Sequence, residues 1–164
     1  MKEIKIDLNS FLELKQIANG TFYPLNSFMD HDCLESVVEN MTLPSKKIFS
    51  LPILLPISKL TYNDIKFSTE VKLIFRNKIV GRILIKEIFN YNLNSIFKKL
   101  FGTDSAKHPG INMMKNMGNL FLAGKVVRNE EPLNNNYKLI NSPKEVITII
   151  KRMKLKTVAG FQTR

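Results

Sequence analysis

Residues 71–88 read VKLIFRNKIVGRILIKEI, and this stretch decides the fold class. Val71, Leu73 and Phe75 alternate with Lys72, Ile74 and Arg76, the period of two that a half-buried strand requires. Asn77-Lys78 is the expected turn, although the more usual Asn-Gly pair is absent. Ile79 to Ile88 then returns as a long second strand, with Gly81 as a candidate bulge. A hairpin of this length, rich in β-branched residues, calls for an antiparallel sheet with one apolar face to cover.

Helical signals lie on both sides of it. From Asp30 to Met41 the apolar positions Cys33, Leu34, Val37, Val38 and Met41 keep helical spacing, with Asp30 as N-cap. Ser50 to Ile57 is apolar, but Pro52 and Pro56 restrict it to an edge strand or an extended connection. Leu93 to Phe101 reads as a helix stopped by Gly102, and Pro109 to Met117 as a short helix ending at Gly118. Asn119 to Val127 reads as a strand, and the polar stretch Asn129 to Asn136 as a loop. Ser142-Pro143-Lys144-Glu145 carries a capping box with proline at the first helical position. Val146, Ile149, Ile150 and Met153 form the stripe of the helix it opens. Thr157 to Phe161 reads as a small-residue buried strand, which is how a parallel α/β sheet begins. Strands to pair with it are missing up to residue 164, so the sequence points to a second domain.

The 164 residues carry 25 Lys and Arg against 14 Asp and Glu, a formal charge of +11. Such a charge suits a polyanion partner. Yet 20 of the cations are Lys and only 5 are Arg, and Arg is the residue that forks onto phosphates and guanine edges. A Lys-rich solvated surface is the simpler reading. The single cysteine, Cys33, excludes a disulfide framework within the chain and reads as a buried, inert thiol. His31 and His108 have no zinc spacing, so no metal site is expected. No apolar run reaches about 18 residues, so no membrane-spanning helix is expected. A cytoplasmic location follows as the expectation from the charged N-terminus.

Five segments, in order, resemble the ATP sulfurylases (sulfate adenylyltransferases). Asn19 to Met29, NGTFYPLNSFM, is similar to the family's N-G-x-F-x-P-L-x-G-F-M, with Ser27 in place of a glycine. Leu51 to Pro56 resembles a proline-bearing strand of that family. Phe101 to Gly110, FGTDSAKHPG, is similar to F-G-T-x-D-x-x-H-P-G, with the acidic residue displaced. Asn119 to Val126, NLFLAGKV, resembles a G-G-K strand in which Ala123 replaces one glycine. Val158 to Arg164, VAGFQTR, is similar to the opening of V-x-x-F-Q-T-R-N-P. The family continues with Asn-Pro and an H-x-x-H motif, which this sequence lacks.

The resemblance implies an α+β PUA-like domain at residues 1–156. A curved, mainly antiparallel β-sheet or pseudo-barrel with flanking helices is expected there. Residues 157–164 would then be the first strand of a nucleotidyltransferase catalytic domain. The parent reaction would join ATP, used as Mg-ATP, and sulfate to give adenosine 5′-phosphosulfate and pyrophosphate in sulfate assimilation. This portion by itself would be inactive and would hold no cofactor of its own. By the same resemblance Gln162 and Arg164 would bind sulfate, and Thr163 would orient the reacting groups as a catalytic residue. A homo-oligomer is a further expectation; a membrane partner is not.

The alternative is a stand-alone basic PUA-like module that binds RNA or another polyanion. His108 reads either as a phosphate ligand or acid–base group, or more simply as a turn residue before Pro109-Gly110. Phe97, Phe101, Met113, Met114 and Met117 are expected in the core. Lys98-Lys99 and the basic run from Lys151 to Lys156 read as solvated faces or as contacts for acidic partners. Asn19 and Asn40 stand in glycosylation sequons that no secretory signal supports.

Overall fold

The computed structural model describes residues 1–128 and 142–161. The loop expected at Asn129 to Asn136 and the candidate site residues Gln162, Thr163 and Arg164 lie outside the described residues.

Among the described residues, five strands form one mixed, open sheet: β1 (Lys2–Lys5), β2 (Ser27–Phe28), β3 (Glu70–Phe75), β4 (Lys78–Asn90) and β5 (Leu120–Arg128). Their spatial order is β1-β3-β4-β5-β2. Among the described strands only the β1–β3 pair is parallel, so the sheet is mainly antiparallel, as expected. The hairpin is present, but its turn falls one residue earlier than Asn77-Lys78. Arg76 and Asn77 both take the left-handed conformation (φ 49° and 62°), and Phe75 pairs with Lys78. Two left-handed central residues match the right-handed twist of the flanking strands, and Asn tolerates the position. Register then slips between Leu73–Gly81 and Ile74–Ile79, which makes Val80 the extra residue, next to the expected Gly81. A second slip leaves Lys86 unpaired, because Ile85 faces Gly124 while Glu87 faces Ala123.

The described residues also hold six α-helices: α1 (Leu8–Ala18), α2 (His31–Asn40), α3 (Lys59–Ile65), α4 (Phe97–Phe101), α5 (Pro109–Lys115) and α6 (Pro143–Arg152). The helix expected from Leu93 to Phe101 is split. Leu93–Ser95 is a 3₁₀ turn, and α4 follows it to stop at Gly102, whose φ of 69° suits a residue without Cβ. No strand or helix was expected from the sequence at β1, β2, α1 or α3.

The core fills from both sides of the hairpin. Val71 and Leu73 of β3, Ile83 of β4, and Phe121 to Ala123 of β5 are fully buried. Leu14 and Ile17 of α1 and Leu34 and Val37 of α2 join the same cluster. Phe11 stacks on Phe75 with ring centres 4.3 Å apart, fixing α1 against the hairpin end. Phe97 and Met114 are buried and Phe101 and Met117 pack partly against the core, as expected, whereas Met113 is exposed. Met113 sits one residue off the face of α5 that holds Ile111 and Met114.

Residues 53–57 form an extended connection rather than a full strand. Ile53 O accepts from Met29 N–H, Leu55 O from Leu122 N–H, and Ile57 N–H donates to Leu120 O. Pro56 has no N–H to give, which interrupts the ladder beside β5.

Candidate functional site

The first motif segment leads into a clamp between α2 and the irregular part of β4. Asp30 caps α2 by accepting from Cys33 N–H at 2.9 Å, and its other oxygen pairs with the ammonium of Lys86. Lys86 is the residue that the register slip frees from the ladder. Its neighbour Glu87 accepts from His31 N–H at 3.1 Å, so two consecutive β4 side chains hold the start of one helix. Burial would raise the Asp30 carboxyl, but Lys86 and the Cys33 N–H outweigh it and hold it below the usual range. Further along α2, Glu35 accepts from the Tyr91 hydroxyl at 2.6 Å, and Glu39 pairs with Lys99. Burial and the Glu35 carboxylate raise the Tyr91 hydroxyl well above its ordinary value. His31 lies edge-on to Phe89 and Tyr91. Burial pushes the Cys33 thiol up to about 11, so it is the inert core thiol that the sequence suggests. The clamp fixes α2 to the sheet, and its charges are spent on one another.

Gly124 explains the retained glycine of the fourth motif. A Cβ there would lie 2.1 Å from Leu84 O, so β4 and β5 approach too closely for any side chain. Ala123 beside it is fully buried opposite Glu87. In the third motif, His108 is the turn residue: its N–H donates to Ser105 O at 3.0 Å and its C=O accepts from Asn112 N–H. Its ring lies 4.7 Å from that of Phe101. The buried Nδ1 has no hydrogen-bond partner. A Cβ on Gly110 would come within 3.1 Å of Phe101 and 3.3 Å of His108, so the glycine makes room for this pair.

The path to the predicted site residues differs from expectation. The capping box of α6 is complete: Glu145 N–H donates to Ser142 Oγ, and Glu145 accepts from Ser142 N–H. The helix nevertheless buries none of its residues, and Val146 and Met153 of its apolar stripe are exposed. Thr157 to Phe161 is not a buried strand. It has no sheet partner, and Phe161 is 91% exposed. A strand needs a neighbour to satisfy its backbone, and none lies beside it among the described residues.

Glu13 was not among the residues expected to carry chemistry. It stands on α1 among the inward positions Ser10, Leu14 and Ile17. Its Oε2 is buried without a hydrogen-bond partner. Burial and the nearby Asp7 carboxylate raise it to about 8. An acidic residue breaking an apolar helical face was the available signal. Among the described residues, no three His, Cys, Asp or Glu side chains converge as a metal site would require.

The five-stranded open sheet with helices packed around it is a PUA-like fold. The family model of the PUA-like domain matches residues 1–131, and the chain belongs to that family. Curated relatives that it matches include sulfate adenylyltransferases. The one from Persephonella marina is 31% identical over 170 residues, covering 100% of this chain and 44% of the relative. The one from Trichodesmium erythraeum is 33% identical over 168 residues, covering 100% and 43%. The one from Pyrococcus abyssi is 28% identical over 162 residues, covering 99% and 42%. The chain therefore spans less than half the length of these relatives. A hexameric APS kinase from Thiobacillus denitrificans shares the fold, with a TM-score of 0.65, 15% identity, and coverage of 94% of this chain and 27% of that one. No helix among the described residues is long and apolar enough to cross a membrane.

Proposed function

We propose that this chain is the N-terminal portion of a sulfate adenylyltransferase, which makes adenosine 5′-phosphosulfate and pyrophosphate from ATP and sulfate. The observation that carries this reading is that relatives of that name align over 98–100% of this chain while it accounts for only 42–44% of their length. Residues 1–156 would be the structural PUA-like body, and residues 157–164 the lead into the catalytic domain. The uncovered apolar stripe of α6 supports this division, since a second domain would give it something to cover.

Gln162 and Arg164 would hold sulfate. Arg supplies a charged fork of donors matched to an oxyanion, and Gln a neutral pair of amide donors. The hydroxyl of Thr163 would orient the reacting groups. Sulfate is a weak nucleophile, so positioning and cationic charge around the polyphosphate would supply most of the rate. Magnesium would arrive with ATP as part of the substrate. The parent enzyme would work in the cytoplasm as a homo-oligomer in sulfate assimilation.

The test is sulfate-dependent exchange of pyrophosphate into ATP. The chain alone should show none. Fused in frame to the remaining C-terminal part of the Persephonella marina relative, it should exchange. Arg164→Ala in that fusion should then lose at least about 100-fold in rate. Exchange by the chain alone, or an Arg164→Ala fusion with full activity, overturns the assignment. Tight, sequence-preferring RNA binding at physiological salt would replace it with the polyanion-binding alternative.

A further inference from the structure

Helix α6 is specified at both ends by its own residues. Ser142 and Glu145 close the capping box at its start. At its end Leu155 N–H donates to Ile150 O and Lys154 N–H to Lys151 O, with Lys154 left-handed at φ 52°. Those two bonds and that conformation make a Schellman motif, which stops a helix and turns the chain off its axis. Yet α6 buries no residue. Val146, Ile149, Ile150 and Met153 recur at helical spacing on one side, and Val146 and Met153 are exposed. Lys144, Lys151 and Arg152 lie on the other side of the helix. The cations are thus segregated from the stripe, and the surface that fits the stripe is apolar rather than anionic.

Two further observations identify that surface. The PUA-like family model ends at residue 131, before α6 begins. After the Schellman turn the chain enters Thr157 to Phe161, whose small and apolar residues suit a covered strand, although Val158 and Phe161 are exposed. Residues 153–156 form a short connection, of the length usual between helix and strand in an αβ unit. In such a unit the apolar stripe of the helix packs on the sheet that holds its strand. We propose that α6 opens the second domain instead of closing the PUA-like body, and that its stripe docks on the apolar face of the sheet that residues 157–161 begin.

This inference rests on the two-domain reading above. It moves the division between the domains from residue 156 to the stretch between residues 131 and 142. The docked stripe meets β-branched and aliphatic side chains of the second-domain sheet, while Lys151 and Arg152 stay in water. Helix and strand then enter the second domain as one unit, and the exposed Val158 and Phe161 are covered in the same step as Val146 and Met153.

Amide hydrogen exchange at residues 146–153 tests the proposal, in the whole chain and in its in-frame fusion to the C-terminal part of the Persephonella marina relative. The amides should exchange at least about 100-fold more slowly in the fusion than in the chain alone. In the fusion, Ile150→Asp should abolish that slowing and leave β4 and β5 as protected as before. In the chain alone, the same substitution should leave the urea midpoint unchanged, a readout that does not need the fusion to fold. Equal protection of α6 in both forms, or a lowered midpoint in the chain alone, overturns the proposal and returns α6 to the PUA-like body. The two readings fail separately. A fusion that protects α6 but makes no ATP from pyrophosphate in a sulfate-dependent exchange keeps the docking and overturns the adenylyltransferase reading. An active fusion with unprotected α6 does the reverse.

Discussion

Helices α2 and α6 are each ten residues long. Each begins at a side-chain cap, Asp30 on Cys33 N–H and Ser142 on Glu145 N–H, and each has an apolar stripe. Their fates differ. Helix α2 buries Cys33, Leu34, Val37 and Val38, and β4 grips its first turn. Helix α6 buries nothing. Burying a Leu or Val side chain contributes about 1.5–3 kcal/mol, while isolated helices under about 12–15 residues are marginal in water. The cap specifies where a helix starts, and the cover decides how much it contributes to stability. In α2 both are present within the described residues; in α6 only the first is.

Several measurements would break or sharpen that contrast. The largest effect is expected from Gly124→Ala, which forces a methyl against Leu84 O and parts the strands that α2 is clamped to. A loss of about 4 kcal/mol in urea unfolding, or no folded protein, is expected. Leu34→Ala in α2 should cost about 3 kcal/mol, whereas Ile150→Ala in α6 should shift the same midpoint by less than about 0.5 kcal/mol. Equal losses would show that α6 is covered after all.

Glu13 tests the body of the molecule through pH. Its folded value of about 8 lies above the ordinary 4.5, so the folded state holds the proton more tightly. This contribution is fully present below pH 4.5 and is lost as pH rises through about 8. Each unit in that window costs at most about 1.4 kcal/mol. Because Glu13 is only partly buried, Glu13→Gln should be roughly 2 kcal/mol more stable than the parent at pH 9 and close to it at pH 4.5. Parallel stability–pH curves for the two proteins would refute the shift.

Much of the architecture was legible where the signal is local. Asp30, Ser142 and Gly102 each act within one helical turn, and each does what its chemistry announces. The hairpin was legible from alternation, but its turn moved by one residue because Arg76 gives no sign of a left-handed conformation. The parallel β1–β3 pair was not legible, since Lys2 finds Val71 far along the chain with three helices between them. Nor could the apolar run at Thr157 to Phe161 reveal its exposure, because burial belongs to the partner as much as to the strand. Glu13 stayed hidden for a related reason: nothing in α1 alone says that its carboxyl lies beside residues 56–58 and 113–118.

The two smallest effects belong to the far end. Ser142→Ala removes the cap of α6 and should lower the stability of that helix by about 1 kcal/mol, visible in the amide chemical shifts of residues 143–152 and absent from global unfolding. Ending the chain at Lys156 removes the exposed apolar Val158 and Phe161. Light scattering should then show less self-association, and unchanged scattering would refute that role for the segment.

The strand order also sets a timetable for synthesis. β1 pairs with residues 71–74, and β2 waits for Gly124 and Lys125. At about 5–20 residues per second, the ribosome makes the second pair available roughly 5–20 s after Phe28. During that interval Phe28 lacks the strand it pairs with. Three neighbouring strands can therefore pair early, and the sheet is completed late, when β5 slides between β4 and β2.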